Sequence, residues 1–161
     1  MDVQQNGLCI IRDQYFLDFP STRHMDNKHE RRPYYLAVKE ENGIIWVVPI
    51  SHKVDKYREK MARDSLKHGD SVFCHIGKIK GEERAFLTGN VIPVSKEYIK
   101  NPFTIQGIPY VVQDKRDIRE IQTKTRKYLA LVRIGKLRPC VDILGIEQAL
   151  LNKMKNYEYM I

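Results

Sequence analysis

The sequence predicts an α+β fold, a small barrel or strongly bent antiparallel sheet elaborated with helices, two of them C-terminal, in one domain covering residues 1–161. Three observations carry that expectation. Short strand-like runs punctuated by Pro and Gly recur through residue 113. Beyond that point the apolar spacing becomes helical in two successive stretches. Hydrophobic residues make up 42% of the chain and charged residues 30%, which supplies one core and argues against disorder.

Taken in order, "LCIIR" (Leu8–Arg12) reads as the opening strand and Asp13–Phe19 as a short turn of helix. The polar stretch Pro20–Pro33 is a loop. "YYLAVK" and "IIWVVPI" then flank "EENG", where Asn42-Gly43 signals a hairpin because both residues tolerate the positive φ of a type I′ turn. The second strand is apolar on both faces and is expected at the centre of the sheet, stopping at Pro49. Residues 54–67 have helical spacing, with Val54, Tyr57, Met61 and Leu66 near one face and Glu59–Arg63 as an i,i+4 ion pair. "SVFCHIG", "RAFLTG" and "NVIPV" are further strands, the first two joined by the turn "KIKGEE", and "IPYVVQ" is the last. Asp114 is an N-cap for a helix whose apolar positions are Ile118, Ile121, Tyr128, Leu129 and Val132. Lys136 and Arg138 fall near its end, and Pro139 stops it. A closing helix from Ile143 to about Asn156 carries Ile143, Ile146, Leu150 and Met154 on one side.

The longest apolar run, Ile44–Ile50, is broken by Pro49 and falls far short of the roughly 18 residues that span a bilayer. "MDVQQNGLCIIRDQYF" has none of the marks of a signal peptide, so a cytoplasmic protein without a membrane partner is expected. Cys9, Cys74 and Cys140 are widely separated and lack zinc-ligand spacing, so free buried thiols and no metal site are expected. His24 and His29 alone do not make a metal site either.

The net charge is +8 and unevenly spread. Residues 114–138 hold 9 Lys/Arg against 3 Asp/Glu, whereas residues 1–113 hold 17 against 14. Such clustering is the electrostatic footprint of a nucleic-acid binder, and equally that of a solvated helix face.

Chemistry gathers at "VVPISHKVDKYREK", where an apolar strand opens into Ser51, His52, Lys53 and Lys56. RNA can be cut without a metal when the ribose 2′-OH attacks the adjacent phosphorus, leaving a 2′,3′-cyclic phosphate and a 5′-OH. The protein must move two protons and stabilise charge on the non-bridging oxygens. Ser51 can donate to a phosphate oxygen, and Lys53 can act as a cation, or as a base if buried beside Arg32. On spacing alone the plainer alternative has the stronger claim: Ser51 as a helix cap and His52 as an idle loop histidine. Tyr34 and Tyr35 can stack on bases, although strand alternation turns one of them inward.

Together these segments resemble the toxins of type III toxin–antitoxin systems, the ToxN/AbiQ/CptN family of endoribonucleases. The resemblance rests on "RDQYFLDF" after the first strand, on "RRPYYLAV" closing the polar loop, and on the hairpin leading to "VVPISHK". It continues through "AFLTGNVIPVSKEYI", a long basic helix and a closing helix. Family members commonly read Pro-Leu-Ser-Ser-Pro-Lys or Pro-Leu-Thr-Ser-Pro-Lys at the third of these. The run here is one residue shorter, and His52 stands in place of Pro or a small residue.

The resemblance implies a MazF/Kid-like barrel and metal-independent RNA cleavage with no cofactor, serving phage defence by abortive infection. Ser51 matches the active-site serine, Lys53 the nearby lysine and Tyr15 an N-terminal tyrosine. Arg32 matches the basic residue before the second strand, with His52 as an added acid/base candidate. Arg31, Tyr34 and Lys56, with Lys115, Arg116, Arg119, Lys124, Arg126 and Lys127 of the basic helix, are the expected RNA contacts. The implied partners are cellular or phage mRNA and a small repeated antitoxin RNA, processed and then held in a ring-like protein–RNA assembly. A non-catalytic RNA- or DNA-binding module is the alternative, and a protein whose basic helices meet an acidic partner is a third.

Overall fold

The strand Ile45–Ser51 (β3) has Ile45 to Ile50 buried, as its two-sided apolar sequence requires, and the other strands assemble on both of its edges. The structure is a computed structural model that describes residues 2–68 and 71–160, with backbone alone for residue 68 and residues 157–160. It is α+β and built on an antiparallel sheet of seven strands. The others are β1 (Leu8–Ile11), β2 (Pro33–Lys39), β4 (His75–Ile79), β5 (Glu82–Phe86), β6 (Ile92–Val94) and β7 (Ile99–Pro102). The order is β4-β5-β3-β2-β1-β7, with β6 also paired to β3. Among the described residues β4 and β7 do not pair with one another, so the ladder is open. A small separate hairpin joins β8 (Thr104–Ile105) to β9 (Ile108–Pro109).

β3 does not stop at Pro49. Along one edge β2 pairs with Ile45 to Pro49; along the other, β6 pairs with Ile45 to Val47 and β5 with Ile50 and Ser51. The Pro49 carbonyl accepts from Leu87 N at 2.9 Å. A strand residue aims its N–H and C=O at the same edge, so the donor that proline lacks faces the gap where β3 changes partner. The proline therefore removes nothing that the β2 ladder uses.

The turns also differ from expectation. At the β2–β3 hairpin Gly43 N donates to Glu40 O at 3.1 Å and Glu40 N to Ile44 O at 2.8 Å, with φ +95° at Gly43. This is a three-residue loop, a type I turn followed by a glycine bulge, and Asn42 serves it by accepting from Ile44 N at 3.0 Å. The two-residue turn with both φ positive is instead Lys80-Gly81, at +51° and +81°, between β4 and β5.

Four helices are seen among the described residues: α1 (Asp13–Asp18), α2 (Val54–His68), α3 (Lys115–Arg133) and α4 (Ile143–Met160). α3 begins as expected, with Asp114 accepting from Asp117 N at 2.9 Å. It ends before Pro139. Gly135, at φ +79°, lets Lys136 N reach Leu131 O and its own N–H reach Val132 O, which caps the last turn. α3 turns Ile121, Thr125, Tyr128, Leu129 and Val132 into the core, and α4 adds Ile143, Ile146 and Leu150. Arg133 clamps Glu147 through two bonds of 3.0 and 2.8 Å, fastening the two helices together.

α2 packs Tyr57 and Met61 on a second cluster of Cys74, Ala85 and Leu87. Leu66, expected on that face, is 89% exposed. Among the described residues the ion pairs of α2 are Arg58 with Glu83 and Asp55, not Glu59 with Arg63. The expected strand 108–113 shrinks to β9 and an isolated bridge from Val111 to Gly7. No helix among the described residues is long and apolar enough to cross a membrane. Cys9 and Cys74 are buried, and burial pushes their thiols up to about 12 and about 11; Cys140, expected to be buried, is exposed.

Two outcomes follow from this packing. Asp114→Ala removes the cap of α3 and lowers unfolding free energy by about 1 kcal/mol in urea titration. In native buffer at neutral pH a thiol reagent modifies Cys140 alone, and denaturant exposes all three cysteines.

Candidate functional site

β3 ends at an exposed corner, and its last residue begins the site. Ser51 pairs with Ala85 across β5 and is partly exposed. Its Oγ accepts from Lys53 N at 3.2 Å, a tight hydroxyl turn that swings the chain from strand into helix. The hydroxyl proton remains free to donate. His52 is exposed, and its carbonyl accepts from Val54 N at 2.9 Å. Lys53 occupies the capping position of α2, its carbonyl accepting from Tyr57 N, and is exposed rather than buried beside Arg32. Its part is that of a cation. Ser51 caps no helix through its side chain, so the plainer sequence reading is corrected at that residue.

Arg32 comes to the same corner by a long-range route. Its Nε donates to Ile50 O at 3.2 Å and its Nη1 to Asp26 O at 3.1 Å. The loop that delivers it turns through three successive residues of positive φ, Lys28, His29 and Glu30, at +51°, +56° and +63°. Non-glycine residues rarely adopt that conformation unless their surroundings hold it. Buried Asn27 does so: its Nδ2 donates to Ile11 O at 2.8 Å and to Asp13 Oδ1 at 2.9 Å, while its carbonyl receives Arg31 N and Arg32 N, each at 3.3 Å. Glu30 accepts from Asp13 N and from Lys100 Nζ, both at 2.8 Å. Arg31, His24 and His29 are exposed on this loop.

Tyr15 is not part of this corner. It is fully buried, its hydroxyl donates to Pro93 O at 2.7 Å, and its ring meets Phe16, Phe19 and Tyr98. Burial holds its phenol well above the ordinary range. Tyr34 is likewise fully buried, and burial raises its phenol too, so it offers no face for base stacking. Tyr35 is buried as well, its hydroxyl bonded to Asn6 Oδ1. Alternation turns only one of two neighbours inward on a one-sided sheet; here both faces of β2 are covered.

The basic residues divide between two sides of the β4–β5 hairpin. His75 and Gly77 face α3, where Asp117 accepts from Lys78 N at 3.1 Å and meets His75 Nε2 at 2.8 Å. Ser51 shares the opposite face with Ala85 and α2. Lys115, Arg116, Arg119, Arg126 and Lys127 are exposed along α3, while Lys124 donates to Cys74 O at 2.8 Å. Lys56 is exposed on α2, with its ammonium 5.3 Å from the Tyr57 ring centre.

Two cations not singled out in the sequence stand near the corner. Lys80 and Arg84 line a cavity of about 430 Å³ with Pro33, Ile50 and Phe103. The charged turn "KIKGEER" held the signal, but only the pairing of β5 with the end of β3 brings it here. Among the described residues no three His, Cys, Asp or Glu side chains gather as metal ligands.

Tyr15→Phe leaves the Pro93 carbonyl without its donor and costs about 1–3 kcal/mol of stability in urea unfolding. Any activity it loses follows the folded fraction. No protein-family model matches this chain, and no curated protein matches it, so its chemistry is argued from its own residues.

Proposed function

We propose that the chain is an endoribonuclease that cuts RNA by attack of the ribose 2′-OH, acting in the cytoplasm as the toxin of a type III toxin–antitoxin system of the ToxN/AbiQ/CptN kind. On this reading the bent sheet is an elaborated MazF/Kid-like barrel, and a small repeated antitoxin RNA is processed and then inhibits the enzyme. The observation that carries the proposal is the corner itself: a serine hydroxyl, an exposed ammonium and an exposed imidazole on three consecutive residues at the end of a buried strand, with the Arg32 guanidinium bonded to the preceding carbonyl.

In the reaction O2′ forms a bond to phosphorus as the P–O5′ bond breaks. One proton leaves the 2′-OH and one arrives on O5′. Ser51 donates to a non-bridging oxygen, and Lys53 and Arg32 neutralise the charge that builds there. His52 ionises nearest neutrality of the four residue types and carries a proton. Tyr15 takes no direct part and supports the sheet from within. The second reading, a binding module without chemistry, draws on the exposed cations of α3, which lie across the hairpin from Ser51.

Purified protein in EDTA is expected to fragment single-stranded RNA, leaving 2′,3′-cyclic phosphate and 5′-OH ends. Ser51→Ala with Lys53→Ala lowers the cleavage rate by about 10²–10³-fold with unchanged unfolding. Undiminished cleavage in that variant overturns the assignment of the corner, and intact RNA with wild-type protein overturns the nuclease.

A further inference from the structure

Lys53, Lys56, Lys60, Arg63 and Lys67 recur at steps of three and four residues along α2, and all five are exposed. At 3.6 residues per turn they fall within an arc of about 80°, beside the face that Tyr57 and Met61 bury. They mark a line of about 21 Å that starts next to Ser51. The acidic residues of the helix leave that line clear. Asp55 pairs with Arg58, Glu59 lies outside the arc, and Asp64, at its border, receives the Ser71 hydroxyl at 3.2 Å.

Midway along the line Lys60 borders a cavity of about 340 Å³. Its wall also includes His24 from the loop that carries Arg32, and Arg138 and Cys140 from the segment after α3. Phe73 and Tyr128 supply aromatic surface there, their rings 6.0 Å apart and edge-on to one another. Cations at the mouth with aromatic and aliphatic walls suit one nucleotide, its phosphate on Lys60 and Arg138 and its base against the rings.

We infer that α2 is the track for single-stranded RNA leading away from the scissile linkage, and that the cavity beside Lys60 receives one unstacked base of that strand. The inference rests on the proposed cleavage at Ser51 for the direction of the track. It does not need that chemistry for binding.

Cys140 makes the cavity observable without reference to activity. The probe is a single-stranded 2′-O-methyl oligonucleotide, which has no free 2′-OH and so cannot be cut. At saturation it is expected to slow maleimide labelling of Cys140 by tenfold or more. Lys60→Gln with Arg138→Gln, both exposed and free of any packing role, should weaken binding. The slope of log affinity against log salt should become shallower by about 1.4, two contacts at about 0.7 each. Labelling of Cys140 at an unchanged rate under saturating oligonucleotide overturns the pocket, as does an unchanged salt slope in the double variant. A protein that cuts RNA yet leaves Cys140 unshielded keeps the nuclease and loses the pocket; one that shields Cys140 without cutting loses only the nuclease.

Discussion

A single absent hydrogen-bond donor organises this molecule. Pro49 lies within its longest buried strand, and its missing N–H faces the edge at which β3 exchanges β6 for β5. One continuous partner along that edge would leave a proline facing an unsatisfied carbonyl. Two partners, one on each side of the residue, avoid the cost. The β4–β5 hairpin is thereby free to diverge from β6, and the strand end at Ser51 emerges at the corner between them instead of being covered.

Everything functional in the proposal follows from that divergence. α2 starts directly from the corner and lies on one face of the hairpin; α3 lies on the other, fastened by Asp117 to the backbone of β4. The two basic helices are therefore not a single positive surface. They approach one another only around residues 72–74, where Lys124 holds the Cys74 carbonyl and Phe73 meets Tyr128. A charge excess that is contiguous along the chain becomes two faces in space, with a cavity at their meeting point.

Features held by neighbouring residues were legible in the sequence. The cap at Asp114, the closeness of Ser51 to Lys53 and the central place of β3 all follow from runs of a few residues. Distant partners decided the rest. Tyr15 sits before a basic loop and resembles a reactive group, yet Pro93 and Tyr98, far along the chain, bury it. Asn42-Gly43 and Lys80-Gly81 both suit a tight turn, and strand register alone gives the two-residue form to the second. Gly135 ends α3 ahead of the more conspicuous Pro139, because the positive φ satisfies carbonyls that a later proline cannot reach. β7 has polar, exposed centre residues and becomes a strand only by pairing with β1.

That last pairing has a consequence in time. β1 sits between β2 and β7, so Cys9 is seated by Pro102, and Asp18 just beyond it is tied through the Tyr98 hydroxyl to Lys153 of α4. Contacts of such wide separation form late. On a translating ribosome the opening strand has no second neighbour until Pro102 emerges, and its outer lock waits for Lys153. On the proposed reading, a nascent copy stays harmless to the very transcript from which it is being made.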